Sequence, residues 1–249
     1  FYKNGAWQPV KVFVEPMPLP TGTVSAFVFE DDFPMNGEDD TGGGVDVLAP
    51  NEPGLGGFNV VIYDNVGQFG DPAGQMTYDM FNQPLSNALA RTVDPATGKD
   101  ACPISANSRT GFDGGTSPTG ITATITVCPK YEADGKTLSP LAGQVVVRNL
   151  PPGFYGVEAH PGADRIARGE EWLQTNTLDG GFAHDAFLKA SEPSYFQEYG
   201  PAGFHVAIGF ANPAIINNRK PGVCANRTDC THTVTGKITL AHMSRTPDE

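Results

Sequence analysis

The sequence predicts an all-β protein, an antiparallel β-sandwich with long loop insertions and little helix. Short runs rich in β-branched and aromatic residues recur along the chain, and each ends in Gly, Pro, Asn or Asp. The chain of 249 residues contains 30 Gly and 22 Pro, so turns are frequent, yet no Gly repeat of the collagen type is present. Periodicity of the helical kind is scarce.

Eight segments have the composition of strands, and the run over 120–128 shows the period of two best, with Ile121, Ala123, Ile125 and Val127 on one face. The predicted strands are 10–14, 23–29, 58–63, 120–128, 144–150, 154–159, 204–210 and 233–241. Only 163–175 and 183–190 carry a helical pattern, so the helical content is expected to be minor.

Two long segments, 64–102 and 107–119, carry little strand signal. Segments of this length inside a compact domain are usually functional, or are held by a metal or a disulfide.

A short internal sequence similarity suggests the domain limits, since the segment 21–25 (TGTVS) resembles 235–239 (TGKIT). If both open a domain, residues 1–20 are the tail of a preceding unit, or a strand exchanged with another copy. Residues 21–213 are then the sandwich with its insertions. Residues 214–249 form a disulfide loop and a strand that leads to a next unit or is exchanged with a neighbour. Coincidence explains a similarity of five residues almost as well.

The charge balance limits the partners that the chain can bind. It carries 28 acidic and 16 basic residues, a formal net charge of −12, which disfavours nucleic acid and anionic membrane surfaces. It favours cations, calcium above all. No window approaches the roughly 18 apolar residues of a membrane-spanning helix, so no membrane insertion is expected.

The four cysteines predict an extracellular protein. Cys224 and Cys230 can close a short loop, which leaves Cys102 and Cys128 as a second pair. An even number of cysteines in a chain rich in Gly and Pro favours disulfides and an oxidising compartment. The alternative is four free thiols buried in a cytosolic protein.

An acidic segment directly follows the second predicted strand. Residues 29–40 (FEDDFPMNGEDD) hold six carboxylates together with Asn36 and the turn residue Gly37. Carboxylate, amide and main-chain oxygens are the ligands that calcium prefers, and without a cation the carboxylates repel one another. The segment therefore indicates a calcium site; the alternative is a solvated acidic loop.

Three stretches together resemble the SdrD B-like domain of bacterial surface proteins, a module of the Cna B-type, prealbumin-like group. They are 27–40 (FVFEDD through NGEDD), 51–64 (NEPGLGGFNVVIYD) and 143–157 (GQVVVRNLPPGFYGV). The resemblance implies a sandwich of the prealbumin/immunoglobulin-like type, calcium bound in the acidic loop, and a role as a stalk or adhesive module.

The resemblance also implies the calcium ligands, position by position. They are Asp31, Asp32, Asn36, Glu38, Asp40 and Asp64, with Glu52 near the turn. The chain departs from the family pattern at 45–50, which lengthens the acidic loop, at the long insert 64–120, and after Val157, where the chain continues for many residues.

We therefore expect a non-catalytic extracellular module, secreted or on the cell surface, repeated in or assembled into a stalk or filament. Its partners would be neighbouring domains, copies of itself, or a host or surface ligand. A carbohydrate-binding accessory domain of a secreted enzyme is the alternative if the aromatic residues of 182–204 are exposed. A secreted hydrolase would need His160 or His184 to converge with Glu170 or Glu171.

Overall fold

The computed structural model describes residues 2–7, 21–31, 52–64, 74–104, 124–176, 182–189, 203–225 and 235–237. The chain divides into two compact units, residues 1–213 and 214–249. The elements are β1 (Tyr2–Lys3), β2 (Ala6–Trp7), β3 (Gly22–Glu30), β4 (Phe58–Asp64), β5 (Gly74–Gln75), β6 (Ile125–Thr126), β7 (Gln144–Leu150), β8 (Gly153–Pro161), α1 (Ala163–Ala167), β9 (Leu173–Gln174), β10 (His184–Leu188), β11 (Gly203–Ala211) and α2 (Pro213–Cys224).

Two sheets make up most of the first unit. One has the order β10-β8-β4-β5, with β6 also paired to β4, and the other has the order β7-β3-β11-β9. A single core cluster draws side chains from both sheets, including Val24 and Ile208 from one and Ile62 and Val157 from the other. The protein is therefore mostly β, with two sheets around one core, as expected of a sandwich.

One strand pair departs from the antiparallel prediction. Strands β3 and β11 are parallel, with Gly203 beside Thr23 and Phe210 beside Glu30. A parallel neighbour requires a long connection, and the chain between the two strands contains every strand of the other sheet. This pairing places the carboxyl ends of β3 and β11 side by side.

The period of two explains the long strands. In β4, the side chains of Phe58, Val60 and Ile62 are each at most 1% exposed, and they face the core from alternate positions. Within the part of 120–128 that the structure describes, only Ile125–Thr126 is a strand. The predicted strand 10–14 lies outside the described residues, and so does most of 233–241.

The helix predictions were largely wrong. Within 163–175 the helix α1 ends at Ala167, because Gly169 has a φ of +67° that does not continue a helix, and Leu173–Gln174 is the strand β9. The predicted helix 183–190 is instead the strand β10, in which His184, Ala186 and Leu188 are buried and Asp185 is exposed. Pairing with β8 selects the strand. Helix α2 was not predicted, because Pro221 lies inside it.

The insert after β5 covers the free edge of β7. Asn87 links the two, since its Nδ2 donates to the main-chain oxygens of Thr126 and Gln144 at 3.1 Å and its Oδ1 accepts from the Val146 amide. The Ala88 amide also donates to the Val146 oxygen, at 2.7 Å. A strand edge with its polar groups satisfied in this way is protected from pairing with another chain.

The predicted pair Cys102–Cys128 forms a disulfide that joins the insert to the segment after β6. Cys224 is also disulfide-bonded, and Cys230 lies outside the described residues.

Replacing both Cys102 and Cys128 by Ala is expected to lower the free energy of unfolding by about 3.5 kcal/mol. The estimate is the chain entropy of a closed loop with a sequence separation of 26 residues. Urea unfolding of the double variant and the wild type measures the difference, and an unchanged midpoint would contradict the prediction. The double variant leaves the disulfide of Cys224 in place, which a reducing agent would not.

Candidate functional site

Four polar side chains are buried at one end of the second sheet. Asp31 is 0% exposed, Glu52 3%, Asn212 6% and Glu30 7%. Carboxylates are almost never buried to this extent unless they are paired or bind a metal. This end of the sheet is therefore the candidate functional site.

The segment after the acidic loop brings Glu52 to this end. Phe29, near the end of β3, forms an antiparallel bridge with Gly54. Extending the antiparallel register by two residues sets Glu52 opposite Asp31. Two carboxylates that are far apart in the sequence therefore lie on adjacent stretches of backbone.

The parallel strand β11 brings Asn212. The Asp31 amide donates to the main-chain oxygen of Phe210 at 2.9 Å, and Asn212 follows two residues later, directly after the strand. Sequence reasoning did not assign Asn212 to this site, because its position depends on the parallel register. The sequence signal that could have indicated Asn212 is its position as a polar residue directly after the apolar run of β11.

The carboxylate of Asp31 is the anomaly of the site. Neither of its oxygens has a hydrogen-bond partner among the residues that the structure describes, whereas Glu30, Glu52 and Asn212 each have an interaction of their own. An unpaired buried carboxylate costs several kcal/mol, so such groups require an explanation, of which an ion is one. Oxygen ligands of this kind suit calcium better than zinc.

The structure does not gather all of the predicted ligands. Asp31 and Glu52 lie together, while Asp32, Asn36, Glu38 and Asp40 lie outside the described residues. Across the described part of the chain, no group of three or more His, Cys, Asp and Glu side chains has the arrangement of a metal site. Of the predicted ligands that the structure describes, Asp31 and Glu52 therefore lie together at this end of the sheet.

Asp64 lies at the opposite end of the sandwich from Asp31. The ring of Phe58, at the start of β4, is 4.7 Å from that of Phe210, which is at the Asp31 end. Asp64 ends the same strand and pairs with Tyr155, and six residues of strand span about 20 Å. The extended strand between them therefore separates Asp64 from the other predicted ligands.

A cation–π clamp holds the segment that carries Glu52. The Arg165 guanidinium lies 5.0 Å from the ring of Phe58 and 4.8 Å from that of Trp172. Its Nε and Nη2 donate to the main-chain oxygen of Gly56 at 2.9 and 2.6 Å. Its Nη1 forms an ion pair with Glu170 at 2.6 Å. The turn after Glu52 is therefore fixed to the region around α1.

Glu170 also accepts hydrogen bonds from Trp172 and Arg168. Burial raises the pKa of this carboxyl, but the hydrogen bonds from Trp172, Arg168 and Arg165 outweigh burial and lower the pKa from 4.5 to about 2. The charged form of the Glu170 carboxyl is therefore stabilised in the folded protein relative to the unfolded chain. Its contribution to stability is complete above pH 4.5 and is lost as the pH falls toward 2.

Replacing Glu170 by Gln is expected to cost about 1 kcal/mol at pH 6, a value that allows for solvent screening of a partly exposed pair. The difference from the wild type should shrink toward zero as the pH is lowered from 4.5 to 2, because the wild-type carboxyl becomes neutral. Urea unfolding at several pH values measures it. A difference that is constant with pH would contradict the assigned role.

The histidines do not converge with Glu170 or Glu171. The Nε2 of His160 is 3.1 Å from a carboxylate oxygen of Glu158. His184 lies on β10 with its Nε2 3.1 Å from the main-chain oxygen of Asn176, and burial lowers its pKa. The cluster that a hydrolase would require is therefore not assembled from these residues.

Comparison with known proteins finds no family model and no curated protein sequence that matches the chain. None of the helices in the described residues has the length and apolar character that crossing a membrane requires.

Proposed function

We propose that the chain is a non-catalytic extracellular module, a β-sandwich that calcium makes rigid and that serves in a surface stalk, filament or adhesin. The observation that carries the proposal is the Asp31 carboxylate, which is fully buried and has no hydrogen-bond partner among the described residues. The resemblance to the SdrD B-like domain supports the same function and remains part of the proposal.

Calcium would act at the junction of three backbone segments. Asp31 directly follows β3, Glu52 lies on the segment bridged to β3, and Asn212 follows β11. An ion bound to oxygens from these segments would tie them together and neutralise the buried charge. Residues Asp32, Asn36, Glu38 and Asp40 complete the proposed ligand set. Asp64 is not part of it, because it lies at the far end of β4.

The extracellular location is supported by the disulfide chemistry of the chain. Cys102 is paired with Cys128, and Cys224 is also disulfide-bonded. Disulfides of this kind persist in oxidising compartments. A module stabilised by disulfides and calcium suits a surface protein that must keep its shape under load. Its partners in the assembly would be neighbouring domains or further copies of the chain, and a host or surface ligand would bind the exposed inserts.

The test is thermal unfolding with EDTA and then with calcium restored. A ligand that binds only the folded state adds about 4 kcal/mol at a thousandfold excess over its Kd. We expect the melting temperature to fall in EDTA and to recover with calcium but not with an equal concentration of magnesium. Terbium luminescence gives a second readout of the same site. An unchanged melting temperature together with no terbium binding would reject the calcium proposal.

Exposed aromatic rings favour a second candidate, the carbohydrate-binding accessory domain. Phe182 is 68% exposed, whereas Phe204 is partly buried against the core. Tyr195, Phe196 and Tyr199 lie outside the described residues. Retention on insoluble cellulose or chitin, lost in Phe182→Ala and kept in Tyr131→Ala, whose ring is 40% exposed on another hairpin, would favour this candidate over the structural module.

A further inference from the structure

A cavity of about 150 Å³ lies between the insert and the end of β7. The hairpin of residues 78–84 forms one wall, where Tyr78 is bridged to Pro84, and Arg148 and Asn149 form the other. Asn149 adjoins Leu150, which pairs with Gly22 at the start of β3. The cavity is therefore at the opposite end of the second sheet from Asp31 and belongs to a different site.

The cavity is partly open to solvent, and its volume of about 150 Å³ leaves room for one small ring. A cavity of about 150 Å³ in another protein holds benzene, and pockets for drug-sized ligands begin at about 300 Å³. The lining here is mixed, with Leu85 beside Asp79, Ser86 and Arg148. A six-membered ring with polar substituents fits this lining better than a purely apolar ring.

Asp79 presents a carboxylate that is already held in place. Its Oδ1 accepts from the amides of Phe81 and Gln83, both at 2.8 Å, and its Oδ2 accepts from Nδ2 of Asn149 at 3.2 Å. A carboxylate has about four acceptor positions. One position therefore remains for a hydroxyl group of a ligand, on a group whose orientation is fixed before binding.

Arg148, on β7, supplies donors to the lining of the cavity. Its side chain is exposed, and within the described part of the chain no hydrogen bond or ion pair of its guanidinium is present. A guanidinium has five N–H donors in a planar fork. The Ser86 hydroxyl can both donate and accept. The lining therefore offers donors as well as the acceptor of Asp79.

The hairpin that carries Asp79 also carries two exposed aromatic side chains, Tyr78 at 45% and Phe81 at 55%, which are near Asp79 in the sequence but do not line the cavity. Aromatic faces combined with a few fixed polar groups are typical of sites for amphipathic ligands. An anionic ligand is disfavoured, because it would meet the Asp79 carboxylate.

We propose that this cavity binds one neutral pyranose ring of a glycan, with Asp79 and Ser86 contacting its hydroxyl groups and Arg148 donating from the end of β7. The proposal does not depend on calcium, because the cavity and Asp31 lie at different ends of the sheet. It assigns the insert a ligand-binding role beyond its cover of the β7 edge.

The test is saturation-transfer NMR and amide chemical-shift mapping of the full chain. The probes are the methyl pyranosides of glucose, galactose, mannose and N-acetylglucosamine, with cyclohexanol, acetate and glycine as controls. We expect at least one pyranoside to bind with a Kd in the millimolar range, shifting the amides of residues 79–88 and 148–149. EDTA should leave the Kd unchanged, so failure of this proposal and failure of the calcium proposal give different results.

Variants locate the binding. Arg148→Met should weaken pyranoside binding about tenfold, and Ser86→Ala severalfold. Arg91→Met, on another hairpin, is the matched control and should leave the Kd unchanged. Because Arg148 is exposed, this variant should keep the wild-type melting temperature. No binding of any pyranoside, binding that Arg148→Met leaves unchanged, or binding of acetate or glycine instead would each overturn the proposal.

Discussion

Replacing Asp31 by Asn should abolish the stabilisation by calcium and, at the same time, make the calcium-free protein more stable. In EDTA, the variant should gain about 1–3 kcal/mol, because a buried carboxylate without a partner is exchanged for a neutral amide of nearly the same shape. With calcium at a thousandfold excess over the wild-type Kd, the variant should lack the gain of about 4 kcal/mol. The two effects have opposite signs, which an ordinary core mutation would not produce.

Urea unfolding of the wild type and of Asp31→Asn, each in EDTA and in calcium, measures both effects. Asp185→Asn is the matched control, because Asp185 is an exposed aspartate on β10; we expect its response to calcium to equal that of the wild type. If Asp31→Asn lost stability equally in both buffers, Asp31 would be a structural residue, and the calcium proposal would lose its main support.

Replacing Phe58 by Ala should lower the free energy of unfolding by about 3–5 kcal/mol, the usual cost of removing a buried phenylalanine. The ring is 0% exposed. It contacts the ring of Phe210 at 4.7 Å and that of Trp172 at 5.7 Å, and the Arg165 guanidinium lies over it. Its loss leaves a cavity between the sheets and removes one face of the clamp.

Chemical denaturation measures this loss, and Phe81→Ala is the control. Phe81 is 55% exposed, so its removal should change stability by less than about 0.5 kcal/mol. Because the clamp holds the turn after Glu52, Phe58→Ala should also weaken terbium binding in the fraction of protein that remains folded. A loss below about 1 kcal/mol would show that the core near Phe58 repacks easily.

The long strands could be predicted because their pattern is local. In β4 a short run of β-branched and aromatic residues lies between Gly57 and Asn65, and no distant contact is needed to recognise such a strand. Strand β10 could not be predicted in this way. Its five residues, HDAFL, fit a helix as readily as a strand, and only pairing with β8 decides between them.

The candidate site was predicted only in part, because some of its residues belong to a local pattern and others reach it through distant contacts. Asp31 belongs to the acidic segment 29–40, which the composition alone reveals, whereas Glu52 was assigned only through the family resemblance. Asp64 was predicted as a ligand but lies at the far end of β4, because the sequence does not show which ends of β3 and β4 lie close together. Asn212 was missed, because it reaches the site only through the parallel pairing of β3 and β11.

The sequence by itself determined that this is a disulfide-containing β protein with an excess of negative charge and an acidic segment after β3. Those properties follow from composition and short-range periodicity, which each segment carries alone. The tertiary structure decided that the Asp31 carboxylate is buried without a partner and that Asp64 lies far from it. It also brought Asp79 and Arg148 to the same cavity. Burial and proximity depend on strand order and register, and these are set by contacts between segments distant in the chain.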